Sequence, residues 1–212
     1  MLDAIESLLS VEVKNQEGII PLNDQEIVDI ISLDFANGPW IAGGAALKWY
    51  QGIAVGLSDI DVFCSNKEQA QRTADRLLSN STVKSTPKVQ TDNAITIDVF
   101  STEPGRENKF WKVQVIFCRY FESLQQVIDH FDITVCQVGT GGNEWILGKT
   151  TARDIREKNL RFTEPLRESS VKRLIKYSIY GYRPVPGTIE AIRANSITAW
   201  KFEPSADYQG EI

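Results

Sequence analysis

Gly43-Gly44-Ala45-Ala46-Leu47-Lys48-Trp49-Tyr50 is followed, past turn glycines at Gly52 and Gly56, by Ser58-Asp59-Ile60-Asp61-Val62-Phe63-Cys64. The second run reads as a strand. Successive strand side chains point to opposite faces, so Asp59 and Asp61 share one face while Ile60, Val62 and Cys64 take the other. Their Cα atoms then lie ~7 Å apart, two residue rises. Two carboxylates at that spacing can hold a hard cation such as Mg²⁺, with phosphate oxygens and water completing the shell. Left unpaired they repel, which gives the pair a reason to bind a cation. With a further ligand they could hold two metals ~3.5–4 Å apart, the clamp used for in-line displacement at phosphorus. The glycine pair supplies the complementary half. Glycine lets the backbone approach a phosphate closely, and the helix that follows offers free N–H groups. Ser58 can donate to a phosphate or cap the turn into the strand.

Outward from this core the chain alternates between helical and strand patterns. Upstream, Asn23 and Glu26 form a capping-box pattern before Ile27, Ile30 and Ile31 at helical spacing. That helix ends near Asn37-Gly38-Pro39, and residues 40–42 read as a short strand. Downstream, Asn66 with Gln69 caps a helix carrying Ala70, Ala74, Leu77 and Leu78 on one face. Residues 94–100 and 110–118 alternate around a turn-rich stretch, which predicts a long hairpin. A short helix over 122–129, strands over 131–138 and 145–147, and a helix through Lys158 follow. A stronger helix spans 165–180, with Leu166, Leu174 and Ile175 as core candidates, and a last one starts at Ile189. The order lacks the repeated strand–helix alternation of a doubly wound fold. It predicts an α+β fold: a mixed sheet covered by helices over residues 1–148, then a small C-terminal helical segment, residues 149–212, packed against it.

Composition narrows the function classes. The chain has 212 residues, 42 % hydrophobic and 24 % charged, which is globular and not disordered. No apolar run approaches the ~20 residues of a membrane helix, and Asp3 and Glu6 stand where a signal peptide would be basic. A cytoplasmic protein with no membrane partner is expected. Cys64, Cys118 and Cys136 are odd in number, far apart and flanked by apolar residues, so they read as core residues and not as a disulfide framework or zinc site. His130 is the one histidine, and no nucleophile elbow accompanies it, which argues against a hydrolytic triad. The five tryptophans, Trp40, Trp49, Trp111, Trp145 and Trp200, are scattered and read as core or staple residues. The net charge of −5 hides an asymmetry: residues 149–183 carry 10 basic and 4 acidic side chains, whereas residues 1–148 carry 11 and 20. A basic segment in an acidic protein suggests local attraction for phosphates.

Taken together, the Gly-Gly turn, its helix and the Ser58-Asp59-Ile60-Asp61 strand resemble the signature of the DNA polymerase beta-like nucleotidyltransferase superfamily. The nearer likeness is to the head domain of CCA-adding enzymes and bacterial poly(A) polymerases, over roughly residues 38–183. His130-Phe131-Asp132-Ile133-Thr134 stands where that family has an Arg-Arg-Asp-Phe-Thr strand. Glu164-Pro165-Leu166-Arg167 and Lys172-Arg173-Leu174-Ile175-Lys176-Tyr177 resemble its later basic helix. The resemblance implies Mg²⁺ (or Mn²⁺)-dependent transfer of a nucleotidyl group from an NTP, ATP or CTP, to a hydroxyl, with an RNA 3′ end as one acceptor. Asp59 and Asp61 would bind the metal. Asp98 or Asp132 would complete the catalytic set, with Gln114 at the hairpin position where the family often has a third carboxylate. Gly43, Gly44, Ser58, Arg167, Lys172, Arg173 and Lys176 would hold the nucleotide, and Arg119 is a further cation within range. The helical body that grips tRNA in that family has no counterpart in the roughly 30 residues after Tyr182. Two alternatives stand beside this reading: a nucleotide-binding module without turnover, and nucleotidylation of a protein or a small molecule.

Overall fold

The alternation at Asp59–Phe63 is realised as strand, with Ile60 and Val62 fully buried and the three odd-numbered residues partly open. The computed structural model describes residues 14–15, 20–22, 24–102, 109–163 and 168–198. In chain order these form β1 (Lys14–Asn15), α1 (Gln25–Ile31), β2 (Trp40–Ala42), α2 (Gly44–Tyr50), β3 (Asp59–Phe63) and α3 (Lys67–Ser79). The outer strands β4 (Val83–Gln90), β5 (Ala94–Ser101) and β6 (Phe110–Ile116) come next, then α4 (Leu124–Asp129). A 3₁₀ turn at Thr134–Cys136 precedes β7 (Val138–Thr140), β8 (Glu144–Leu147) and α5 (Thr151–Glu157). The chain closes with β9 (Asn159–Leu160), α6 (Glu168–Ile179), β10 (Arg183–Pro184) and α7 (Thr188–Thr198).

Eight strands make one sheet in the order β1-β8-β7-β2-β3-β6-β5-β4. Every neighbouring pair in it is antiparallel except β3 and β6, which run parallel. The predicted hairpin is β5–β6, and its inward set Ile97, Val99, Val113 and Val115 is fully buried. The main core lies on the face of Ile41, Ile60 and Val62, under α1, α2 and α3. A smaller cluster, Trp40, Ala42, Leu124, Val127 and Ile128, seats α4 on the opposite face. Asp24 ties the main core together: its buried carboxylate accepts from Trp49 Nε1 at 2.7 Å, Trp111 Nε1 at 2.9 Å and the Val55 amide at 2.9 Å. Trp40, Trp49, Trp111 and Trp145 are all buried, as expected; Trp200 lies outside the described residues.

Several local expectations are corrected. Asp24, not Asn23, occupies the N-cap position of α1, and Asn23 lies outside the described residues. The Asn66 cap does form, its side chain accepting from the Gln69 amide at 2.8 Å. In α3 it is Thr73 that joins Ala70, Ala74 and Leu77 inside, while Leu78 is exposed. Residues 131–138 are not a strand. Thr134 donates its amide to Arg161 O and its hydroxyl to buried Asp154, and these bonds curl the chain into the 3₁₀ turn before β7 begins. Strand β4 carries no apolar alternation to announce it. It is an edge strand, mostly exposed, with a register shift between Pro87 and Val89, the setting in which a strand tolerates proline. Cys118 is exposed, unlike Cys64 and Cys136. In α6 the buried side runs through Ser170 and Tyr177 with Leu174 packed beside them, which leaves Ile175 outside.

Candidate active site

Three strands tile one polar surface. On β3 the face away from the main core carries Asp59, Asp61 and Phe63. The Phe63 end is sealed by edge-on contacts with Phe121 and Phe131, ring centroids 6.0 and 5.9 Å away. The parallel register sets Asp59 beside Lys112 and Asp61 beside Gln114, and β5 continues the rows with Asp98 beside Lys112 and Thr96 beside Gln114. Lys112 Nζ lies 2.8 Å from Asp59 Oδ1. Gln114 is buried and donates Nε2 to Thr96 Oγ1 at 3.4 Å, which leaves its Oε1 without a partner. Asp61 Oδ1 is likewise sealed and partnerless. Burial first, and the neighbouring Asp59 charge second, push the Asp61 carboxyl up to about 7; the cations of Lys176 and Arg173 pull it the other way.

Those two cations come from α6, which is locked in place at its inner side. Asp132 accepts from Ser170 Oγ on one carboxylate oxygen and from Arg173 Nη1 on the other, at 2.7 Å, and its side chain is buried. One turn later Tyr177 is buried and accepts from Cys136 Sγ at 3.0 Å. Burial raises both groups, the thiol to about 11 and the phenol well above its ordinary range, so both stay protonated at neutral pH. The Tyr177 hydroxyl stands where a Cβ on Gly44 would be 3.7 Å away, so α6 rests against the Gly-Gly turn.

At that turn Gly43 has φ +80°, and a Cβ there would meet the Phe131 ring at 2.9 Å. Its amide donates to Val138 O at 2.9 Å. Amides for a phosphate therefore come from Gly44 and the first turn of α2, which have no intrahelical acceptor. Lys48 Nζ spans the loop after α2, donating to Val55 O at 2.8 Å and to Ser58 Oγ. Burial, then the charge of Lys176, hold the Lys48 ammonium below its ordinary value.

The seating of α6 thus brings the Arg173 and Lys176 cations close enough to act on Asp61 and sets Tyr177 against Gly44, so the acidic pair, the Gly-Gly turn and these cations are neighbours. Ser58 immediately precedes Asp59, its hydroxyl accepting from Lys48. The two candidates for a third carboxylate are drawn elsewhere: Asp98 shares the face, but Lys112 stands between it and Asp59, and Asp132 spends both oxygens on α6. Lys172 is on the exposed side of α6, and Arg167 lies outside the described residues. Arg119 lies against His130, 2.7 Å from Nδ1. Two site residues escaped the sequence reading, Lys48 and Lys112. Lys112 carried a signal, because strand alternation places it on the same face as Gln114.

Among the described residues no three His, Cys, Asp or Glu side chains cluster closely enough to hold a metal ion. Two carboxylates are present, with an orphaned oxygen on Asp61 and another on Gln114 beside it. This all-oxygen donor set fits one hard divalent cation, which Asp59, Asp61 and the Gln114 amide oxygen would hold.

The fold is shared with solved CCA-adding enzymes. The chain is 16 % identical to a CCA-adding enzyme in complex with CTP, covering 86 % of this chain and 45 % of that one, TM-score 0.60. The enzyme in complex with ATP gives 16 % identity, 84 % and 44 % coverage and a TM-score of 0.58. The Thermotoga maritima CCA-adding enzyme complexed with tRNA gives 18 % identity, 83 % and 43 % coverage and a TM-score of 0.56. The chain therefore spans less than half the length of these enzymes, and the likeness establishes a nucleotidyltransferase-like fold. No helix among the described residues is long and apolar enough to cross a membrane. No curated protein sequence matches the chain. The sequence pattern of one family does match, over residues 14–158, and by that match the chain belongs to the Gabija anti-defense 2 family.

Proposed function

We propose that this protein is a nucleotidyltransferase that moves a nucleotidyl group from an NTP, ATP or CTP, to a hydroxyl acceptor and thereby acts against Gabija defence. One observation carries the reading: Asp59 and Asp61 stand on one strand face beside the orphaned Gln114 oxygen, under the Arg173 and Lys176 cations. A Mg²⁺ or Mn²⁺ ion held by Asp59, Asp61 and Gln114 would supply Lewis-acid polarisation of the donor's phosphate oxygens. Arg173 and Lys176 would then neutralise charge on the triphosphate. Gly44 and the first turn of α2 offer amides to phosphate oxygens, while Lys48 and Ser58 fix the loop that closes this side. Asp98 and Asp132 support the site without facing the reacting atoms. The acceptor is an RNA 3′ end or a hydroxyl of a Gabija component; the CCA-adding relatives favour the first and the family favours the second.

A second reading, a nucleotide-binding module without turnover, is favoured by one observation: Lys112 and Gln114 stand where another carboxylate would complete a two-metal site. One assay separates the two. Each labelled NTP is incubated with the protein and Mg²⁺ or Mn²⁺, once with total RNA and once with Gabija proteins. Label in RNA or in a protein, absent with the Asp59→Ala/Asp61→Ala variant, supports transfer and names the acceptor. Binding of NTP without transfer supports the second reading. Unchanged NTP binding by the double variant, with metal present, overturns the site assignment.

A further inference from the structure

The surface around Asp59 is compensated before any nucleotide arrives. Lys112 Nζ sits 2.8 Å from Asp59 Oδ1, on a carboxylate that a divalent ion would have to share. On its other flank, one strand further out, Asp98 occupies the register position beside Lys112. Asp98 holds a sealed Oδ1 with no hydrogen-bond partner, and its other oxygen is 3.9 Å from the largely exposed Lys88 ammonium. Lys112 on β6 therefore has a carboxylate residue at its register position on each side, Asp59 on β3 and Asp98 on β5, the strands lying ~4.8 Å apart. An orphaned buried carboxylate oxygen is costly unless something can reach it. Lys112, its register neighbour on β6, has a flexible four-carbon stem that can swing toward it.

We propose that Lys112 is a two-position tethered cation that closes the metal site: it rests on Asp59 and moves to Asp98 when a divalent ion takes Asp59. Asp98 is then a positioning residue that acts through Lys112, and metal entry is a contest between a tethered ammonium and a free ion. This rests on the reading that Asp59 and Asp61 hold a divalent ion. The device gives the site a high threshold for metal, met when nucleotide phosphates bring the ion with them.

The test uses the full chain without nucleotide and counts free Mn²⁺ by electron paramagnetic resonance. Lys112→Met should tighten Mn²⁺ binding by about threefold to fivefold, the scale of a partly exposed ion pair. Asp98→Asn should weaken it by a similar factor, and this effect should vanish in the Lys112→Met background. Lys112→Arg, which keeps the charge, should behave like the parent and gives a second reading should the Met variant fold poorly. Unchanged or weaker Mn²⁺ binding by Lys112→Met, with binding by the parent abolished in Asp59→Asn/Asp61→Asn, overturns the tethered cation and leaves the metal site standing. Equal Mn²⁺ binding by the parent and Asp59→Asn/Asp61→Asn overturns both.

Discussion

Replacing Asp61 by Asn should stabilise the metal-free protein, and only at high pH. The Asp61 carboxyl is raised from 3.8 to about 7 by burial and by Asp59. Between those values the native state binds a proton that the unfolded chain has released, so stability falls as pH rises through that window. The cost is absent below about pH 4 and complete above about pH 7. At ~1.4 kcal/mol per tenfold change in proton affinity, the upper bound is about 4 kcal/mol. Only one carboxylate oxygen is fully sealed and Asp61 as a residue is partly open, so water screens the charge and about 1–2 kcal/mol should survive. Asn keeps the shape and removes the charge. Urea unfolding of the metal-free protein at pH 3.5 and at pH 8 reads the difference directly. The two proteins should match at the lower pH and diverge by that amount at the higher one. A variant that is destabilised, or whose advantage is the same at both pH values, refutes the claim that Asp61 is held against its own charge. Saturating Mg²⁺ should close the gap at pH 8, because an ion that binds only the parent's native state stabilises it by mass action.

Other substitutions test the frame. Gly43→Ala puts a Cβ against the Phe131 ring at φ +80° and should cost about 2–4 kcal/mol in denaturant unfolding, whereas Gly44→Ala, with nothing nearer than 3.7 Å, should fold within ~1 kcal/mol of the parent. Asp132→Asn leaves Arg173 without its carboxylate; since Arg173 is about a third exposed, the expected loss is about 2 kcal/mol and not the full cost of a sealed pair, with weaker NTP binding by titration as α6 loosens. Asp24→Ala strands two indole N–H groups and the Val55 amide, and a thermal melt should show a loss of roughly 3 kcal/mol or more.

What the sequence made legible was what depends on near neighbours. The shared face of Asp59 and Asp61 follows from strand alternation alone, and the β5–β6 hairpin follows from two alternating runs around a turn. The basic helix was legible as a helix, but its inner side was not. The charges of Arg173 and Lys176 act on Asp61 while Lys172 lies on the exposed side, and that is decided by Tyr177 and Ser170 anchoring the helix to Cys136 and Asp132. The third ligand was undecidable for a related reason. Chain order places the Asp98 strand before the Lys112 strand, yet the sheet places β6 next to β3 and β5 outside it. Only that order makes Lys112 and Gln114, and not Asp98, the lateral neighbours of the acidic pair.

The same sheet order carries the chemical argument to its end. A parallel neighbour puts residue against residue in register, so whatever β6 holds at two alternate positions decides what Asp59 and Asp61 can bind. A carboxylate beside Asp61 would add a third negative charge and require a second metal. Gln114 offers an oxygen without charge, and Lys112 adds a positive charge beside Asp59. With one cation built in, the acidic pair needs at most one divalent ion for neutrality, and the phosphates of the proposed nucleotide would find further compensation on α6. On the proposed reading that compensation comes from Lys176 and from Arg173, whose guanidinium is shared with Asp132. On the proposed reading the acidic pair with Lys112 takes one metal, and adding a carboxylate, for example by Gln114→Glu, should raise metal occupancy only if Lys112 is removed at the same time.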